Sequence, residues 1–172
     1  MLKCNKEMVA PMLNKYIRLT ALTMAVIFNS SCEASMFTAK EDVVLFSRVQ
    51  GKLFFEGKPV VSAKVIRRYI YDTKDPIEDF CITNNSGEFD FPSVVRKNTS
   101  VSGLTQFVSH QEMVVEFRGN VYPIWGHGKM EKAENSEYDG FFKKLKCNID
   151  DELVRMRLNN RDLVLTNCVF EN

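Results

Sequence analysis

Histidine and tryptophan are scarce in this sequence of 172 residues: it has two of the first and one of the second. With only His110 and His127, and no C-x-x-C among five cysteines, the common zinc-ligand patterns cannot be assembled. No G-x-S-x-G, P-loop or H-E-x-x-H motif occurs, so no hydrolase, nucleotide or metalloprotease signature is available. A charge excess is also missing. The formal balance is +1, and the first 32 residues carry four of the 23 basic and one of the 22 acidic side chains, leaving 19 against 21 and a balance of −2. Such a chain offers nucleic acid no electrostatic footprint and anionic lipid no polybasic anchor. Long apolar runs are lacking too. The most apolar, Leu19–Phe28, has ten residues, about 15 Å of helix against a hydrocarbon core of about 30 Å.

What that run does fit is an export signal. Lys15 and Arg18 precede it, and Asn29-Ser30-Ser31-Cys32-Glu33-Ala34 ends it, which is the order of a basic n-region, an apolar h-region and a small-residue cleavage site. Met12 offers a second start with a more usual n-region. Two processing routes are open. Ordinary cleavage after Ala34 would use Cys32 and Ala34 as the small residues, whereas Ser30-Ser31-Cys32 resembles a lipoprotein site at which Cys32 is acylated. Asn29 stands where the lipoprotein pattern wants an aliphatic residue. Residues 1–34 are thus expected to be a leader, 35–48 an amino-terminal arm with a first strand, and 49–172 the folded domain. The expected location is periplasmic or otherwise exported, with the membrane reached only through a lipid on Cys32.

Export changes how the thiols read, because an oxidising compartment favours disulfides. Outside the leader stand Cys81, Cys147 and Cys168, enough for one bridge and a spare. Cys147 and Cys168 both lie in alternating segments, which makes them the expected pair, as a hairpin or as neighbours in one sheet. Cys81, between Phe80 and Ile82, reads as a small buried hydrophobe.

From Val43 onward the patterning has period two. Strands are expected at Val49–Glu56, Ala63–Tyr71, Glu78–Thr83, Glu88–Pro92, Glu112–Phe117, Val121–Trp125, Phe142–Cys147 and Leu163–Phe170. Turn signals at Gly57–Val60, Asp72–Pro76, Asn84–Gly87 and Arg118–Asn120 separate several of them. Lys97–Gly103 reads as a polar loop and Gly126–Gly140 as the longest irregular stretch. Asp150–Leu158 reads equally as a helical turn or a strand. About seven short strands after a leader imply an all-β sandwich.

Val49-Gln50-Gly51-Lys52-Leu53, Glu56-Gly57-Lys58-Pro59-Val60, Ala63-Lys64-Val65 and Thr83-Asn84-Asn85-Ser86-Gly87-Glu88-Phe89 together resemble the carboxypeptidase-regulatory-like, transthyretin-like domains. The resemblance implies a transthyretin-like (prealbumin-like) β-sandwich, with Pro59 opening an edge turn, Ala63 where two sheets approach and Gly87 in a left-handed turn. Leu104–Glu112 and Tyr122-Pro123-Ile124-Trp125 also resemble an uncharacterised family of small exported Gram-negative proteins. The Y-R-G-S signature of transthyretin-like ureide hydrolases does not occur, so the likeness implies no activity.

Two groups of residues carry candidate function. His110 and Glu112, two apart on a strand, face one side and would make a hydrolase or ligand-carrier site if His127 joined them. A deaminase-like H-x-E lacks its P-C-x-x-C partner. Trp125, His127, Lys129 and Tyr138 form the expected contact surface if the Trp125-Gly126-His127-Gly128 bend is exposed; otherwise Trp125 plugs the open end of the sandwich. The mixed-sign run Lys129–Glu137 reads as a solvated excursion. These residues call for no cofactor and no metal. They point to a non-enzymatic binding module with a protein partner, such as an immunity or accessory protein for a secreted toxin.

Overall fold

A computed structural model describes residues 39–101, 106–158 and 162–171, all within one unit spanning Met36–Asn172. The leader and Cys32 lie outside the described residues. What is described is nearly all β. Thirteen short strands form three sheets among these residues, and no described helix is long and apolar enough to cross a membrane.

The first large sheet has five strands. Its centre is β2 (Val49–Phe55), paired in parallel with β10 (Lys144–Asn148) on one side. On its other side β2 meets β6 (Glu88–Phe91) and then β3 (Lys58–Pro59), while β10 carries β13 (Cys168–Glu171) at the outer edge. The second large sheet has six strands in the order β11 (Val154–Leu158), β12 (Asp162–Thr166), β9 (Asn120–Lys129), β8 (Ser109–Phe117), β4 (Lys64–Ile70) and β5 (Ile77–Ile82). Alternation decides what each contributes. Val49, Leu53, Phe89, Phe91, Leu145 and Cys147 face inward from the first sheet; Val65, Met113, Val115, Trp125 and Val164 face them from the second, in one continuous buried cluster. Burying each such side chain contributes about 1.5–3 kcal/mol. Gly51 permits the closest approach: a Cβ there would lie 2.7 Å from both the Leu145 carbonyl oxygen and the Phe89 ring.

A third sheet pairs β1 (Ala39–Phe46) with β7 (Val94–Val101). The polar stretch expected to loop from Lys97 is therefore a strand as far as Val101. Its pairing partners are themselves polar, Lys40 with Ser100 and Glu41 with Thr99, so no apolar alternation marks it. Leu163–Phe170, expected as one strand, is two. Thr166 belongs to the six-stranded sheet and Cys168 to the five-stranded one, the behaviour of a chain that changes sheets at a corner. Thr166 stabilises that corner, its hydroxyl accepting from Cys168 N (3.0 Å) and donating to Ile124 O (2.8 Å).

Cys147 and Cys168 are opposed in the β10–β13 register and joined by a disulfide with Cα atoms 4.0 Å apart, as neighbours in one sheet. Gly87 has φ +78° and lies beside the Leu53 carbonyl, the turn position expected of it. Ala63 is buried, with Thr83 Oγ1 accepting from its N–H (2.9 Å) and donating to Val60 O (2.7 Å).

Candidate functional site

The two histidines are set apart by strand alternation. On β8, Ser109, Gln111 and Met113 point inward, so His110 and Glu112 point outward and are exposed. On the adjacent β9, Trp125, His127 and Lys129 point inward. His127 faces Gln111 across the pair, with its ring edge-on to Trp125 at 6.0 Å and Nδ1 3.1 Å from Leu163 O. A constellation of His110, Glu112 and His127 is thus not assembled, because the sheet itself separates its members. Glu112 instead accepts from Arg68 (3.3 Å), which also donates to Glu78 (3.0 Å). Among the described residues no three His, Cys, Asp or Glu side chains are grouped to hold a metal ion.

Trp125, His127, Lys129 and Tyr138 do not form an exposed surface, and that expectation is corrected. Their exposures are 1, 7, 1 and 1%. The reason lies in Gly126 and Gly128, which do not bend the chain; neither has positive φ, and β9 runs straight through them to Lys129. Trp125 packs against Tyr138 and Phe170 at 6.0 and 6.3 Å, closing the core. Burial raises the Tyr138 phenol, with the nearby Glu137 charge adding to it.

The charged run after β9 holds a second correction. Rather than being wholly solvated, it folds Glu137 into the interior, on a 3-10 turn at Ser136–Tyr138, where it meets Lys129 (2.6 Å) with both side chains at most 1% exposed. The Glu137 carboxylate also accepts from Ser47 N (3.0 Å), Ser47 Oγ (2.5 Å) and Gln111 Nε2 (2.8 Å). Lys129 donates further to Ala133 O (2.7 Å) and Ser136 Oγ (2.6 Å). Burial by itself raises the Glu137 carboxyl, but the Lys129 charge and these hydrogen bonds outweigh it and hold the group below its ordinary value. Burial lowers the Lys129 ammonium, and the opposing pull of Glu137 recovers only part of that. This network fastens β1–β2, β8 and the 3-10 turn together.

The sequence carried a signal for this burial that was not used: Arg67, Gln111 and Lys129 are polar side chains at inward positions of a period-two pattern. Arg67, 1% exposed, is clamped by Asp79 (2.5 Å) and Pro92 O (2.7 Å) and stacks on Phe91 at 4.6 Å. All three serve packing. Cys81 is half-buried rather than fully buried, because β5 is an edge strand; burial pushes its thiol up to about 11.

The outer face of the six-stranded sheet presents a different feature. Gly126 stands between Glu112 on β8 and Leu165 on β12, and Gly128 lies opposite His110. An added Cβ at Gly128 would meet nothing within 4 Å, and one at Gly126 only Leu165, at 3.7 Å. The missing side chains leave a furrow one strand wide, so its walls stand about 9–10 Å apart. His110 and Glu112 line one wall. The other is apolar, with Leu163 and Leu165 exposed at 53% and 37%.

No curated protein matches the chain. A family model does: residues 49–152, from the first core strand through the buried ion pair to β10 and just beyond it, match DUF6795, a domain of unknown function, and the chain belongs to that family.

Proposed function

We propose that this domain is a non-enzymatic binding module that works in an exported, oxidising location and takes a protein partner in the glycine-floored furrow. The observation that carries the reading is the furrow itself. A sheet face otherwise covered by long side chains has a bare channel where Gly126 and Gly128 alternate outward, with exposed leucines along one wall. Leucine in water costs free energy that a complementary surface recovers. A partner that inserts a ridge of side chains, apolar toward Leu163 and Leu165 and polar toward His110 and Glu112, matches both walls.

Export is supported by the leader-like segment before Ala34 and by the Cys147–Cys168 bridge, since disulfides persist in oxidising compartments. Whether Cys32 carries a lipid or is cleaved away with the leader is decided by the mass of the mature amino terminus. The motif run Val49–Phe89 supports a transthyretin-like sandwich. An immunity or accessory role beside a secreted toxin is the more specific form of this proposal.

Gly128→Leu tests it. The added side chain has room at Cβ, so folding is preserved while the channel is filled. From a periplasmic extract, the unaltered protein is expected to recover a stoichiometric protein partner and the variant to lose it, with unchanged melting. Equal recovery by both, or recovery of no partner by either, refutes the proposal.

A further inference from the structure

Strand β5 ends the six-stranded sheet, with β4 as its one strand partner among the described residues. Thr83 N donates to Ala63 O (2.9 Å) in the register that continues β4–β5. Antiparallel alternation then turns the N–H and C=O groups of Glu78, Phe80 and Ile82 toward the open edge. Unpaired edges of this kind are normally blunted by charge or proline. Here that protection is weak. Glu78 is held by Arg68 (3.0 Å) and Asp79 by Arg67 (2.5 Å) within the same chain, so both acids of the strand are already neutralised. Phe80 and Ile82, in contrast, are 61% and 54% exposed. A cleft of about 570 Å³, lined by Cys81, Ile82, Lys52 and Asp90 among others, opens on the inner side of the edge. Open space thus separates part of this edge from the five-stranded sheet across the cleft.

The sequence of β5 selects a partner. In a two-fold antiparallel pairing that preserves both faces, odd residues can only oppose odd ones and even residues even ones. Centring the axis on Asp79 sets two carboxylates against each other. Centring it on Phe80 sets Asp79 against Cys81 and Glu78 against Ile82, each an acid against an apolar group. Centring it on Cys81 sets Phe80 against Ile82 twice and Asp79 against Thr83, and the pairing stops before Asn84, whose backbone is taken by Glu88 O (3.0 Å) and Gly87 N (2.9 Å). Only the last sets apolar against apolar and leaves no acid opposite an acid or an apolar group; the paired apolar side chains are what stabilise cross-strand neighbours there.

We propose that two copies of this chain pair edge to edge through β5, antiparallel about a two-fold axis at Cys81, joining their six-stranded sheets into one. The contact is separate from the furrow and does not depend on it. A six-residue edge is at the small end of specific interfaces. In this register the two Cys81 residues form a non-hydrogen-bonded pair, the closest approach across an antiparallel ladder.

Two measurements test the proposal. Sedimentation equilibrium of the C81S protein, prepared without the leader and so without Cys4 and Cys32, is expected to show a monomer–dimer equilibrium. F80D, added to it at an exposed site that folding does not need, should weaken dimerisation at least ~10-fold because each substitution enters the contact twice. Monomer throughout the accessible concentration range, or a dimer indifferent to F80D, overturns the pairing. Diamide then reads the register. It accepts two electrons and two protons from two thiols, leaving a disulfide, and should convert the unaltered protein to a covalent dimer while C81S gives none. The double variant F80C/C81S should cross-link much more slowly. If it reacts faster than the unaltered protein, the axis lies at Phe80 and the assigned register is wrong.

Discussion

Replacing Glu137 with glutamine removes one charge from a pair that is at most 1% exposed and nearly preserves its shape. Lys129 would be left as a buried cation whose remaining partners, Ala133 O and Ser136 Oγ, are neutral. Breaking a buried pair from one side costs about 3–5 kcal/mol, far more than the net worth of the pair itself. We therefore expect E137Q to lower unfolding free energy by ~3–5 kcal/mol in urea titrations, and K129M by a similar amount, since it leaves the carboxylate uncompensated. The double variant K129M/E137Q should fall short of the summed losses by at least ~2 kcal/mol, because contacting residues couple by up to about 3 kcal/mol. Acid supplies a second arm. The folded pKa of Glu137 lies below the unfolded value of 4.5, so its contribution is present above about pH 4.5 and is lost as pH falls through the folded value. The unaltered protein should lose stability over that acid window more steeply than E137Q. A cost for E137Q below ~1 kcal/mol, additive single substitutions, or parallel acid profiles would each refute the claim that this pair fastens the 3-10 turn to the sheets.

Reduction of Cys147–Cys168, which spans 21 positions, should cost ~3 kcal/mol through freed unfolded-chain entropy; an unchanged urea midpoint in dithiothreitol would rule out that contribution. Gly51→Ala should destabilise by ~1–3 kcal/mol by overpacking, since its Cβ meets a backbone carbonyl and an aromatic ring at 2.7 Å. A melting temperature equal to the unaltered protein would mean that β6 and β10 yield freely around β2 within their sheet.

Much of this architecture was legible because the alternation of apolar side chains is a local property. Val49–Phe55 and Glu88–Phe91 could be read as strands from period two alone, and Gly87 from its turn signal. The Cys147–Cys168 bridge was expected because both thiols lie in alternating segments, and they are neighbours in one sheet. Where alternation was absent, reading failed: β7 opens on Val94 and Val95 but runs on through Arg96–Ser100, which are all polar, and the Leu163–Phe170 run looks continuous although Asn167 divides it between two sheets. The candidate contact residues failed for another reason. Trp125, His127 and Lys129 occupy every second position, as inward residues must, but the flanking glycines suggested a loop.

By itself, then, the sequence determined the all-β class, the main core strands and the disulfide, all of which depend on spacing along the chain. Tertiary structure alone decided which face each polar residue took. It buried Lys129 against Glu137, turned His110 away from His127, and made Gly126 and Gly128 the floor of a furrow. The physical reason is that a strand fixes only alternation; which side becomes interior depends on the sheet packed against it, and that sheet comes from distant segments such as those of Val49 and Phe170.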